Sequence, residues 1–406
     1  MTSSLLQPAQ GRVGTHGFYR VSEWELVTGW VGGFDPPPPR TDTSGKAARR
    51  VLEDLLLDAL LRSPCLVEFS GGRDSSALLC VAVHVARREG LPEPVAATHD
   101  FTGQGPADES GWQESVVRHL GLKDWYRTSD LEAFDLLGPN AQAGLRRYGL
   151  LWPALVHRHA PFAMLAAGGG SIVLGEGGDE VLGMQRLTRG IWPLRRRPWT
   201  GASVRRAAGE LAPVALRRVV LERRRRSQGS LHPWLPVAVQ DLALSLVARD
   251  YAGEPLRWDR AVRWHLGCRA SKTAMHNLAR VLAASDVSLH TPLIHPKFVD
   301  ALSVQGGPWG MGTRTEVMRR LFGDVVPDEI CRRTSKAHFG AVAVGPASRA
   351  FLEGWSGEGL GSDLVDVDEF RRSCVQELPS PGAFMLLQSA WLATNRRPVQ
   401  GSPTRP

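Results

Sequence analysis

The sequence predicts an α/β protein: a core built on a parallel sheet, followed by a mostly helical C-terminal half. Three observations carry this expectation. Short apolar runs of strand character alternate with helix-period runs between Ala47 and Met184, the pattern of parallel strands joined by right-handed crossovers. Two of the apolar runs end in glycine-rich turns, Ser70–Ser76 and Gly175–Glu180. Beyond about residue 236 helical periodicity dominates.

In chain order, residues 1–46 read as a weakly structured N-terminal extension rich in glycine. Its run Pro36–Pro39 favours polyproline II and stops any helix; a short strand pair fits around Gly17–Trp30. From Ala47 the residues Val51, Leu55, Leu56 and Leu60 recur at helical spacing. Residues 65–69 read as a buried strand, 75–88 as a helix and Val95–Thr98 as a second strand. Asp108–Leu120 is a helix with Val116, Val117 and Leu120 on one side, Pro161–Ala167 is helical, and Ser171–Leu174 is a strand. These set an α/β core over about 47–184. The Arg/Pro/Gly-rich stretch 185–235 yields no clear element. Helices expected over 236–250, 259–284, 313–322, 346–354, 366–377 and 383–395 complete one domain spanning 47–396, with 397–406 as a tail.

The chain has 406 residues, 43% hydrophobic and 22% charged, a composition ordinary for a soluble globular protein. No apolar run is long enough to cross a membrane as a helix. The start Met1-Thr-Ser-Ser-Leu-Leu lacks the charged and apolar regions of a signal peptide. The 5 cysteines form no C-x-x-C pair, which argues against a disulfide framework or zinc site and fits a reducing cytosol; a cytoplasmic location is expected. Formal charge is +8, from 49 Lys+Arg against 41 Asp+Glu, with clusters at Arg195–Arg197 and Arg223–Arg226. Such clusters make either a solvated face or a patch for an anionic partner. Without aromatic interleaving or a nucleic-acid motif, the solvated face is the expectation and nucleic acid is not an expected partner.

The first chemical signal is Ser70-Gly71-Gly72-Arg73-Asp74-Ser75-Ser76, between a predicted strand and a predicted helix. Glycines let the backbone approach a ligand closely, and the helix start offers free N–H groups and a positive dipole end to an anion. The Walker A pattern is absent. Asp74, inside the cradle, would repel a polyphosphate unless Mg²⁺ bridged them. The second signal, Leu174-Gly175-Glu176-Gly177-Gly178-Asp179-Glu180, follows the last core strand and places three carboxylates at the sheet edge, where Asp74 and Asp179 could share one Mg²⁺. The third is Arg332-Arg333-Thr334-Ser335-Lys336-Ala337-His338-Phe339. Lys336, one of few lysines in an arginine-rich chain, is either a surface lysine or a fixed cation facing a developing anion. Asp108 and Glu109 suit a helix N-terminus, His99 and Asp100 stand where they could line a nucleotide pocket, and His157, His159, His265 and His295 show no ligand spacing.

The first segment resembles the pyrophosphate loop of N-type ATP pyrophosphatases, and the second resembles the S-G-E-G-x-D-E motif of the asparagine synthetase synthase domain. Lys336 is similarly placed to the lysine of that family's R-x-K-x-x-F. The resemblance spans about residues 50–345. It implies a parallel-sheet nucleotide-binding core of the ATP-pyrophosphatase type, with ATP held by Ser70, Gly71, Gly72, Asp74, Ser75, Ser76 and Gly175. It further implies Mg²⁺ on Asp74 and Asp179, Glu176 handling protons and Lys336 stabilising charge. The implied reaction adenylates a carboxylate, releases pyrophosphate and passes the acyl group to an amine. Three departures shape the expected substrate. Thr2 stands where glutamine-dependent members carry a cysteine nucleophile, and the segment before Ser70 is too short for their glutaminase domain. The family's R-x-P-F-L-D is degraded to His290-Thr-Pro-Leu-Ile-His295, and Val181-Leu-Gly-Met184 replaces the usual apolar-Phe-Gly-Gly run. These tilt the expectation toward an amide or macrolactam on a peptide or natural product, as in lasso-peptide cyclases and β-lactam synthetases. The alternative is asparagine made from free ammonia or from a separate glutaminase. The retained Glu176 is like asparagine synthetases and lasso cyclases and unlike β-lactam synthetases. A precursor peptide or a separate glutaminase is the implied partner. Readings of another class are a tRNA-modifying ATP pyrophosphatase, whose reactive cysteine pair is missing here, and an inactive nucleotide-binding partner.

Overall fold

A computed structural model describes residues 17–196, 200–227, 232–360 and 364–395. Five short parallel strands form its sheet: β1 (Cys65–Glu68), β2 (Val95–His99), β3 (Trp125–Thr128), β4 (Ser171–Val173) and β5 (Ser288–His290), in the order β3-β2-β1-β4-β5. Strand order reverses between β1 and β4, and ligands of open α/β sheets bind at the carboxyl ends of strands flanking that point. The two glycine-rich turns leave the sheet there, one after each of these strands.

Side chains alternate across the sheet, as a period of two requires. Val67, Ala96 and Val173 pack into a cluster with helices Ala48–Leu60, Arg73–Glu89, Pro296–Gly306 and Arg314–Phe322. Leu66, Ala97 and Ile172 face the other way, onto Phe162, Leu278 and Leu282. Both faces of the central strands β1 and β4 are therefore covered, which is why residues 65–69 and 171–174 read as apolar runs. A separate cluster around Trp234, Phe370, Leu386 and Leu387 holds the C-terminal helices together.

The parallel α/β architecture and the helical remainder are as the sequence predicts, with differences in detail; the sheet also takes in β3 and β5, which the sequence reading lacks, and β5 lies beyond the expected core of about 47–184. Gly17–Trp30 forms no strand pair; Glu23–Thr28 is a helix, opened by a capping box between Ser22 and Glu25. The single helix expected over 259–284 is two, Trp258–Trp264 and Arg269–Ala283, joined by a 3₁₀ turn at His265–Gly267. The break is tertiary in origin: Asp35 N–H donates to the Gly267 carbonyl at 2.8 Å, and a Cβ on Gly267 would lie 2.0 Å from the Asp35 oxygen. The stretch 185–235, unreadable in sequence, contains helices Arg186–Arg196, Gly201–Leu211 and Val214–Arg226. In it Arg225 lies over the Tyr251 ring and Arg226 pairs with Asp241 at 3.1 Å. The side chains of Arg195–Arg197, and the tail 397–406, lie outside the described residues.

Several histidines are sealed in as neutral rings. Desolvation by burial lowers His99 to about 3, and His157 and His265 to about 4, from 6.5. The unfolded chain binds protons below pH 6.5 that the folded chain refuses, so stability is fullest above that pH and falls as pH drops toward the folded values. Urea unfolding between about pH 7 and about pH 5 should show a loss of roughly 1–2 kcal/mol per sealed histidine, and His157→Gln should flatten the slope; a pH-independent midpoint would contradict this burial.

Candidate active site

The first turn closes on itself through serines. Ser75 Oγ accepts from the Ser70 N–H at 3.2 Å and donates to the Gly72 carbonyl at 3.3 Å. Gly71 has φ +80°, and a Cβ there would press Gln113; only glycine makes this bend without strain. The helix then starts at Arg73, with Asp74 in its first turn and no side-chain cap on its leading N–H groups, the arrangement that receives anions.

The second turn packs directly on the first. A Cβ on Gly178 would lie 2.2 Å from Asp74 Cγ, and one on Gly175 3.1 Å from the Ser75 nitrogen. The absence of side chains at these two positions is what lets the loops touch. Asp74 and Asp179, distant in sequence, consequently share one cation: Arg314 Nη2 donates to Asp74 Oδ2 at 2.5 Å and Arg314 Nη1 to Asp179 Oδ1. Lys336 Nζ donates to the other Asp179 oxygen at 2.6 Å. Burial pushes Asp74 above the usual carboxylate range, with Asp179's charge adding to it and Arg314 opposing. Burial works the same way on Asp179, but the Lys336 hydrogen bond and Arg314 outweigh it and hold that group at about 2.

Arg333, beside the lysine motif, fastens the first turn from behind. Its Nη1 donates to the Gly71 carbonyl at 2.6 Å and its Nη2 to Glu109 Oε1 at 2.5 Å. Side-chain exposure is 2% for Arg333 and 7% for Glu109, so this is a buried ion pair. Asp108 has a local role, accepting from the Gly103 and Ser110 N–H groups.

These elements enclose a cavity of about 520 Å³, lined by Ser70, Gly72, Asp74, Ser75, Gly175, Glu176, Asp179 and Lys336 among others. Of the sequence-predicted site residues, Gly71 and Ser76 do not face it: Gly71 is turned toward Arg333, and Ser76 is fully buried behind the loop. Nor do His99 and Asp100. His99 packs edge-on against Phe134 at 4.6 Å, and Asp100 pairs with Arg127 at 2.6 Å. Arg73 and Glu180, which belong to the two signals but received no role of their own from the sequence, line the cavity; sequence reasoning missed Glu68, Arg158 and Arg314, which line it as well. Of these three only Arg314 left a local signal, the capping box Thr313-Arg314-Thr315-Glu316 that starts its helix; nothing local says what that helix faces.

The donor set suits a hard divalent cation. Asp74 Oδ1 is buried without a hydrogen-bond partner, and a second carboxylate, Asp179, bonds the same Arg314 guanidinium as Asp74. Among the described residues no group of three or more His, Cys, Asp or Glu could hold a metal by itself, so phosphate oxygens or waters would have to complete the shell.

A cavity at the reversal point of a parallel sheet, ringed by an anion-binding turn and an acidic turn, defines a nucleotide-dependent α/β enzyme. The family model for asparagine synthase matches residues 51–381, and the chain belongs to that family. The family's chemistry is ATP-dependent carbon–nitrogen ligation, and the chain falls in that class. Comparison with curated proteins finds no match.

Arg333→Ala should destabilise the fold by about 3–5 kcal/mol in urea titration, because Glu109 is left charged and buried. Adding Glu109→Ala should restore part of that loss; equal stability of Arg333→Ala and the parent would remove the pair from the account.

Proposed function

We propose that the protein adenylates a carboxylate with ATP, releasing pyrophosphate, and transfers the acyl group to an amine carried by a peptide or natural-product intermediate. The observation that carries this reading is the meeting of Asp74, Asp179 and Lys336 around one cavity at the ends of β1 and β4.

The N–H groups of Gly72, Arg73 and Asp74, with the Ser70 and Ser75 hydroxyls, would hold the polyphosphate. Asp74 and Asp179 would hold Mg²⁺, which when bound neutralises phosphate charge. Arg314 bonds both carboxylates, so a bound metal ion would compete with it for them. A substrate carboxylate oxygen attacks the α-phosphorus, and the bond to the β-phosphate breaks. The amine nitrogen then attacks the activated carbonyl carbon, and AMP leaves. Glu176, with a side chain 49% exposed, is free to take the amine proton. Lys336, 76% exposed, can swing from Asp179 toward the developing oxyanion. The same openness of Glu176 to solvent favours a second reading, in which free ammonia or ammonia from a separate glutaminase is the amine and asparagine the product. A cytoplasmic setting accords with the five free cysteines. No helix among the described residues is long and apolar enough to cross a membrane.

Supplied with a substrate carboxylate, the protein should exchange labelled pyrophosphate into ATP, and Asp74→Ala should abolish exchange. Lys336→Ala should lower kcat by about 10²–10³ while changing ATP affinity by less than about threefold. Formation of ADP instead of AMP would overturn the adenylation reading, and parental activity in Asp179→Ala would remove the shared cation.

A further inference from the structure

A second cavity of about 320 Å³ opens behind the acidic turn. Its walls are apolar, built from Trp152, Leu155, Val156, Met275, Leu278 and Ile294. It shares Arg158, Glu176, Gly177 and Glu180 with the nucleotide cavity, so these four residues form the mouth between the two spaces. At roughly 30 Å³ per water-sized group it holds on the order of ten non-hydrogen atoms.

The mouth is short of positive charge. Among the described residues Arg158 is the one arginine or lysine that lines both cavities, and its charge is already divided: Nη2 lies 3.8 Å from Glu68 Oε1 and 3.9 Å from Glu176 Oε1. Glu68 is also held by His159 Nδ1 at 2.8 Å. Burial works to raise Glu68, but His159 and Arg158 outweigh it and keep that carboxyl near 2, so it stays ionised. Glu176 and Glu180 therefore stand at the mouth with one guanidinium, itself shared with Glu68, and a cation entering there meets two carboxylates.

We infer that this chamber receives the amine donor, as a primary ammonium group set between Glu176 and Glu180 on an apolar carrier that fills the chamber. The inference rests on the ligase reading above and adds the class of amine. The ammonium gives one proton to Glu176, which frees the nitrogen lone pair. Attack on the acyl-adenylate forms the C–N bond and breaks the C–O bond to AMP, and the second nitrogen proton leaves to water. Ammonia has no apolar surface to bury and gains nothing from these walls, whereas an aliphatic or aromatic amine gains with each group it desolvates.

The test is calorimetric titration of the full chain with 4-phenylbutylamine, methylamine and 4-phenylbutyrate, with ATP affinity measured in parallel. The amine on the apolar carrier should bind at least about tenfold tighter than the other two. Met275→Trp, which fills the chamber, and Ala274→Leu, a milder filling, should each lose that preference while keeping ATP affinity within about threefold. Equal binding of methylamine, tighter binding of 4-phenylbutyrate, or undiminished preference in both variants would overturn the inference. Carboxylate-dependent pyrophosphate exchange needs no amine: exchange without amine preference sinks the chamber alone, and ADP formation with amine preference intact sinks the ligase reading alone.

Discussion

Two carboxylates of like charge, Asp74 and Asp179, are forced against each other at the reversal point of the sheet, and the site is organised around that repulsion. Each belongs to a turn whose glycines allow close approach; Gly178 stands where any side chain would displace Asp74. Burial raises Asp74 above the usual carboxylate range, and the charge of Asp179 adds a smaller push in the same direction. Arg314 relieves it by bonding both groups, and Lys336 adds a second cation on Asp179. Arg314 and Lys336 thus tie the two turns together at the cavity.

The rest of the fold holds these turns in place. Parallel pairing of β1 with β4 sets their separation, and the buried Arg333–Glu109 pair ties the first turn to the helix Ser110–Leu120. Helix Arg314–Phe322 packs into the cluster beneath the sheet through Val317, Met318 and Leu321, so the position of the Arg314 guanidinium is a consequence of core packing. Chemistry at the cavity and stability of the core are in this sense one arrangement.

Much of the site was legible in sequence because its signals are local. Ser70–Ser76 and Leu174–Glu180 announce themselves by glycine and carboxylate spacing after apolar strands. What escaped is set by distant contacts. Arg217, inside the stretch 185–235 that seemed irregular, faces inward at 3% exposure because Glu254 pairs with it at 2.9 Å; a charged residue in a core position hides the helical period. The edge strands were missed as well: β3 reads Trp-Tyr-Arg-Thr, with Arg127 over the Trp125 ring at 4.6 Å, and β5 has three half-buried residues. Neither gives the apolar run that marks a central strand. Arg158 and Glu68 belong to separate, unremarkable segments and acquire meaning only where β1 meets the turn Ala154–His159.

The central claim, that the two acidic turns bind one and the same metal nucleotide, is most directly tested by a double-mutant cycle on Mg²⁺–ATP affinity, with Asp74→Asn, Asp179→Asn and the double variant measured by equilibrium dialysis. Groups acting on one ion are coupled, so the double variant should bind little more weakly than the worse single variant, with a coupling of at least about 1 kcal/mol. Losses that simply add would mean that Asp74 and Asp179 serve separate ligands, and would contradict the account.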